Sequence, residues 1–380
     1  MSKLKKEIVV PVLSVLLLLV CCALIGVITF AMGTEEKTVE ALDKRDLNAM
    51  SGYDAYINDL GAGVIDDAPL IPKVYKLADD LVVAPEPDQT LFGASQDPAD
   101  VAEVLENAAE LLGDAEVFWL ADTDRELLKG FDMRWYLDET ICTITWKEVI
   151  DYCIYTFTEV KIAHPSQFRR CFMEDSFNSP KLDYPSKLAA SVNAVAAMNG
   201  DFYWIRKPGI VVYKSELCRG TGEKVDTCFV DRNGDLRFVE RGTFADDADI
   251  QRYIDENEIQ FSLAFGPTLI EDGELVCPDN YLLGEILDAY PRAAICQLGE
   301  LHYLLVTANA ENWNARVPTI KGFANALYNK GIRNAYTLDG GQTATIIVND
   351  KVINRVLSGK QRVVSDIIYF ATAIPEKEED

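Results

Sequence analysis

The chain has 380 residues, 49% of them apolar, and a formal net charge of −25. That length can bury one large core or two modest ones. The acidity excludes nucleic acid and anionic lipid surfaces as general partners.

The apolar content is concentrated at the N-terminus. No charged residue occurs from Ile8 to Met32, and Leu16 to Leu19 is unbroken leucine. Such a run spans a hydrocarbon core of about 30 Å as a helix. Lys3, Lys5 and Lys6 precede it and Glu35 and Glu36 follow. The lysines stay on the cytoplasmic side, which predicts a single-pass anchor in the cell membrane with the C-terminal body outside. A cleaved signal peptide is the weaker reading, since Thr29-Phe-Ala31 makes a poor cleavage site and the run exceeds a usual signal core.

Residues 34 to about 95 lack periodicity and are rich in Asp, Ala and Pro, as expected for a stalk with short helices. Asp97-Pro98 opens an amphipathic helix carrying Val101, Val104, Leu105, Ala108 and Leu111, with Gly113 placed to end it. From about residue 140 short β-rich runs alternate with turn signals. Lys187 to Met198 reads as a helix. Thr227–Val230 and Leu236–Val239 flank an Asn-Gly turn, and Leu301 to Thr307 is a buried-type strand. Pro318 to Lys330 is a helix closed by Gly331, and another strand ends at Leu338. Thr343–Val348 and Val352–Val356 form a hairpin about Asn349-Asp350. This order predicts an α+β fold with a mixed sheet and flanking helices. The expected division is a lysine-rich tip and anchor (1–33), an acidic, partly helical stalk (34–140), the main domain (141–375) and an acidic tail (376–380).

Seven cysteines lie beyond the anchor and none forms a CxxC pair, so zinc-ribbon spacing is absent. Cys218 and Cys228 are the most local candidates for a disulfide; buried free thiols are an equal alternative.

Four constellations carry chemical interest. Met198-Asn199-Gly200-Asp201-Phe202 follows an apolar segment, and its glycine allows a reversal that projects Asn199 and Asp201. Gly266-Pro267 breaks an apolar run ending at Ile270, where a backbone approaches a ligand or another strand. Arg292 leads into a β-rich apolar run and needs an anionic partner there, either a structural carboxylate or a phosphate. Asp339-Gly340-Gly341-Gln342-Thr343 places an acid and two flexible glycines at a strand end, which suits a cleft and also an ordinary turn.

These motifs, taken in order, resemble the phosphodiester glycosidase family: Asn199-Gly-Asp-Phe202, Gly266-Pro-Thr-Leu-Ile270 with Gly273, Pro291-Arg292, Leu338-Asp-Gly-Gly341 and a late Arg362. The resemblance runs from about Trp146 to Ile374. It implies a hydrolase acting on the bond between a sugar anomeric carbon and a phosphodiester, without a cofactor, on a glycopolymer or glycoconjugate outside the membrane. It assigns Arg292 and Arg362 to the phosphate, Asp339 and Asp201 to the reacting carboxylates, and Asn199 and Thr343 to the sugar or water. Gly200, Gly266, Gly340 and Gly341 would bring backbone close to substrate. His164 and His302 read as structural, and no metal-ligand spacing is visible.

Departures from the family pattern fall at Gln342, where a third glycine is usual, at Cys296-Gln297, and at Ala308-Asn309-Ala310, where a charged turn is usual. They favour, as an alternative, a non-catalytic carbohydrate-binding or assembly protein of exopolysaccharide or cell-envelope construction. Oligomeric state cannot be read from the sequence.

Overall fold

The computed structural model describes residues 76–77, 82–111, 130–222, 224–279, 281, 288–309 and 316–373. The expected anchor, most of the stalk and the acidic tail lie outside the described residues. Among those described, no helix is long and apolar enough to cross a membrane.

In chain order, β1 (Phe92–Ser95) and α1 (Pro98–Leu111) are followed by β2 (Met133–Leu137), β3 (Ile141–Ile150), β4 (Cys153–Ile162) and β5 (Phe168–Phe172). Next come α2 (Pro185–Ser191), β6 (Ala196–Asn199), β7 (Gly209–Tyr213), β8 (Glu216–Thr221), β9 (Thr227–Asp231) and β10 (Leu236–Val239). Then α3 (Asp247–Glu256) precedes β11 (Ile259–Leu263), β12 (Thr268–Glu271), β13 (Glu274–Leu275), β14 (Arg292–Gly299) and β15 (His302–Asn309). Last are α4 (Ile320–Asn329), β16 (Asn334–Leu338), β17 (Ile346–Val348), β18 (Lys351–Val352) and β19 (Asp366–Phe370).

The strands build a nine-stranded sheet, β1-β2-β3-β4-β15-β14-β16-β12-β13, and two five-stranded sheets, β10-β9-β11-β7-β8 and β18-β17-β6-β19-β5. Side chains alternate faces along a strand. On β15, Leu304, Val306 and Ala308 therefore enter a core shared with Phe323, Ala324 and Leu327 of α4 and Val101 and Ala108 of α1. Tyr303 and Leu305 enter a second core with Met198, Ile346, Ile368 and Leu263 from the smaller sheets. Coverage on both faces explains why this strand reads as a continuous apolar run.

Asp97 caps α1 as expected, whereas α4 starts later than expected, at Ile320, with Thr319 rather than Pro318 at its head. Asp97 accepts from Ala99 N at 2.9 Å ahead of α1, and Thr319 accepts from Gly322 N at 3.1 Å ahead of α4. Gly331 takes φ 82° just past α4.

Several expectations need correction. Every strand pairing among the described residues is antiparallel, so the α+β fold has no mixed sheet. The segments Phe92–Ser95 and Met133–Leu137 fall within the expected stalk, yet they pair with each other and then with β3, so the sheet begins well before residue 141. The helix expected over 187–198 stops at Ser191. Asn193 turns left-handed at φ 55°, and Ala196–Asn199 becomes a strand between β17 and β19. Alanine fits helix and strand without large penalty, and two waiting backbone edges decide the outcome. Cys218 and Cys228 are both free thiols, on strands separated by β11 and β7.

Candidate functional site

The site is assembled where the ends of β6, β14 and β16 meet. Antiparallel β14 and β16 pair Ala293 with Leu338. The next positions outward are Arg292 and Asp339, so register alone brings the two motifs together. Asn199, the last residue of β6, is fully buried. Its carboxamide donates to the Asp339 carbonyl at 2.8 Å and accepts from Thr345 N at 3.0 Å, while Asp339 N donates to the Gly200 carbonyl at 3.4 Å. These bonds hold the backbone of the half-buried Asp339 between two strand ends.

The paired glycines have separate reasons. A Cβ on Gly340 would sit 2.5 Å from the Pro291 carbonyl oxygen, so only glycine lets this loop lie on the start of β14. Gly341 takes φ 63° and donates its N–H to the same carbonyl at 2.8 Å. The Thr343 hydroxyl donates to the Gly340 carbonyl. With Thr343 fully buried, that hydroxyl closes the loop and is not exposed to a sugar as expected.

Gly266 and Arg292 have other placements than expected. Gly266, at φ 68°, lies against the Tyr281 hydroxyl, which accepts from Asp226 N at 2.6 Å; the glycine makes room for tyrosine. Arg292 is 4% exposed and donates to the carbonyls of Asp288 at 2.6 Å and Pro318 at 3.5 Å, so its guanidinium ties two loops together behind the site. Arg362 is exposed, with its guanidinium 5.1 Å from the centre of the Phe202 ring.

Asp201, expected as a reacting carboxylate, is fully buried in an ion cluster. Arg170 Nη2 contacts Asp201 at 2.5 Å and Asp366 at 2.7 Å, and Arg170 Nε donates to Asp366 at 2.9 Å. The remaining Arg170 nitrogen donates to the Ser262 carbonyl. Asp201 also accepts from Tyr203 N at 3.1 Å and Ala264 N at 2.6 Å, which engages both its oxygens. The side chain is a structural acid that fixes the reversal at Gly200 from below. A Cβ on Gly200 would collide with the Asp366 carboxylate.

Arg170 and Asp366 lie outside the four motifs. A signal did exist: Phe168, Arg170 and Phe172 share one face of β5, and an arginine alternating with two phenylalanines points inward with them. Burial lowers the proton affinity of Arg170, but the Asp201 and Asp366 charges more than restore it. Burial pushes the Asp366 carboxyl from 3.8 up to about 6 against the pull of Arg170, with Asp201 adding to the rise. A raised carboxyl means the folded state holds the proton more tightly than the unfolded one. Its ionisation penalty is absent below about pH 4 and fully present above about pH 6. The difference in unfolding free energy between Asp366→Asn and wild type, followed by urea titration, should therefore vary with pH through that window and be flat above it. A flat difference across the whole window would show that Asp366 titrates normally.

Both histidines are structural. His164 Nδ1 caps Ser166 N at 3.2 Å, and His302 Nε2 meets the buried Glu159 at 2.7 Å. A cavity of about 670 Å³ elsewhere is lined by His164, Asp175, Lys214 and Asp231, and by none of the residues expected at the site. Within its lining Lys214 pairs with Asp175 at 2.5 Å, and Asp231 pairs with Arg237 at 2.7 Å.

Residues 192–371 match the profile of the phosphodiester glycosidase family. A prophage-derived uncharacterized protein of Bacillus subtilis (strain 168), YomE, is 25% identical over 171 residues, 45% of this chain and 26% of its own length. The chain thus spans about a quarter of that relative. Among solved structures, the catalytic domain of zebrafish N-acetylglucosamine-1-phosphodiester alpha-N-acetylglucosaminidase, auto-inhibited by its pro-peptide, aligns at 15% identity and TM-score 0.48. It covers 61% of this chain and 83% of that one. A hypothetical protein from Synechocystis aligns at 14% identity and TM-score 0.43, over 61% of this chain and 62% of its own. The phosphodiester glycosidase profile thus matches just under half of the chain, the stretch that carries Asn199, Arg292, Asp339 and Arg362.

Proposed function

We propose that this protein hydrolyses the bond between a sugar anomeric carbon and a phosphodiester oxygen, with Asp339 as the reacting carboxylate and Arg362 as the anion contact. The carrying observation is the convergence of Asn199 and Gly200 on the backbone of Asp339, with Gly341 bonded to Pro291 beside it, inside the segment that matches the family profile.

In that reaction the C1–O bond breaks and its electron pair leaves with the phosphate oxygen. Water supplies the new C1 hydroxyl, and the proton it releases goes to solvent. The departing phosphate monoester is a good leaving group, so the demand for a general acid is small. One site carboxylate is then enough to stabilise the cationic sugar centre, which fits the removal of Asp201 into the interior. The buried Arg292 contributes positive potential behind the phosphate. We place this body outside the membrane, tethered by Ile8–Met32, with an envelope or exopolysaccharide glycopolymer as substrate.

The engagement of Asp201 also favours a second reading, a carbohydrate-binding protein of envelope assembly that has lost turnover. Incubating the full chain in detergent with a hexose-1-phosphodiester separates the two. Hydrolysis is expected to release free sugar, and Arg362→Gln should raise KM about tenfold or more, the range for a charge-assisted contact. Binding without any release would leave the second reading. Turnover undiminished in both Arg362→Gln and Arg292→Gln would remove arginine from the account.

A further inference from the structure

Arg362 lies in a segment pinned on both sides. Gln342, on the Asp339 loop, donates its carboxamide to the Lys360 carbonyl at 2.9 Å. Gln361 accepts from Ser186 N at 3.1 Å and donates to the Ser186 hydroxyl at 2.9 Å, and Val364 exchanges backbone bonds with Asp183 at 2.8 and 3.1 Å. Between these anchors the Arg362 side chain meets the Phe202 ring. No carboxylate among the described residues pairs with it, in a chain of net charge −25.

Phe202 itself is held in an unusual conformation. Its φ of 65° is left-handed, rare for a bulky side chain and costly unless surroundings enforce it. Here the turn is over-determined. The Phe202 carbonyl accepts from Ile205 N at 3.2 Å and Arg206 N at 3.0 Å, while Asp201 is locked by Arg170. The consequence is a half-buried ring two residues from Gly200, with a face turned to the guanidinium. Gln342, which departs from the family pattern, provides the second hold.

We propose that Gln342 and Phe202 are positioning residues that hold Arg362 beside Asp339, and that this hold gives the site its preference for an anionic, phosphodiester-linked leaving group over a neutral one. The inference rests on the hydrolase reading for its substrate but not for its geometry. An exposed cation that wanders is screened within about 8 Å. One held by a ring and a carboxamide stays at one distance from the reacting acid and binds the diester without first ordering its own side chain.

The test uses the full chain and two substrates of one sugar, a methyl phosphodiester and a neutral 4-nitrophenyl glycoside. Phe202→Leu and Gln342→Ala should each raise KM for the diester about threefold to fivefold, the size of one exposed cation–π contact or one net hydrogen bond. The double variant should reach about tenfold. Neither kcat nor the kinetics of the neutral glycoside should move more than about twofold, and Phe202→Tyr, which keeps the ring, should restore wild-type KM. Equal changes for both substrates, or no change for either, overturn the proposal. If the wild type cleaves neither substrate, the hydrolase reading fails separately, and saturation-transfer NMR with dimethyl phosphate decides the positioning role. Binding weakened in both variants supports it, whereas equal binding, or none to wild type, overturns it.

Discussion

Asp339→Asn should lower turnover of a sugar-1-phosphodiester about a thousandfold while leaving the thermal midpoint nearly unchanged. The separation of effects follows from how the residue is held. Its main chain bonds Asn199 and Gly200, and these bonds do not depend on the side chain's charge. Asparagine keeps the size, and the substitution removes the charge proposed to face the sugar centre. Steady-state kinetics paired with thermal unfolding checks both halves. A variant that keeps more than a tenth of wild-type activity would place the reacting carboxylate elsewhere.

The second large effect is expected on stability. Arg170→Met should cost about 3–5 kcal/mol, because Asp201 and Asp366 remain buried after losing their shared cation. The Arg170 and Asp201 side chains have no exposure and that of Asp366 has 1%, so water cannot compensate. Adding Asp201→Asn and Asp366→Asn to Arg170→Met should recover much of the loss, since replacing a whole buried ion cluster is far milder than breaking one. Urea unfolding of the single and triple variants reads this directly. A loss below about 1 kcal/mol in Arg170→Met would mean that the acids take up protons or reach solvent at little cost.

Local signals in the sequence translated well where one or two residues set the geometry. Asn349 and Asp350 both adopt left-handed backbone at the tip of the β17–β18 hairpin, and Gly234 does so between β9 and β10. Gly331 likewise turns left-handed just past α4. The site was legible as a set of motifs, but the meeting of Asp339 with Pro291-Arg292 depends on the register of β14 against β16, which no spacing along the chain states.

Asp201 misled for the same reason. A Gly-Asp after an apolar segment looks like an exposed turn, and the fact that buries it, Arg170 on β5, belongs to a distant stretch. The alanines of β6 were ambiguous between helix and strand until the edges of β17 and β19 were present. Met133-Arg-Trp-Tyr-Leu137 hid in an acidic region, although Met133 and Trp135 pack against one core and Tyr136 against the other.

Which bond breaks is the point on which everything mechanistic turns, and isotope placement shows it. Hydrolysis of a hexose-1-phosphodiester in water enriched in oxygen-18, followed by mass spectrometry of both products, should put the label on the sugar C1 hydroxyl and leave the phosphate monoester unlabelled. Asp339→Asn should abolish that incorporation. Label in the phosphate would mean attack at phosphorus, and a carboxylate opposite the anomeric carbon could not then be the reacting group.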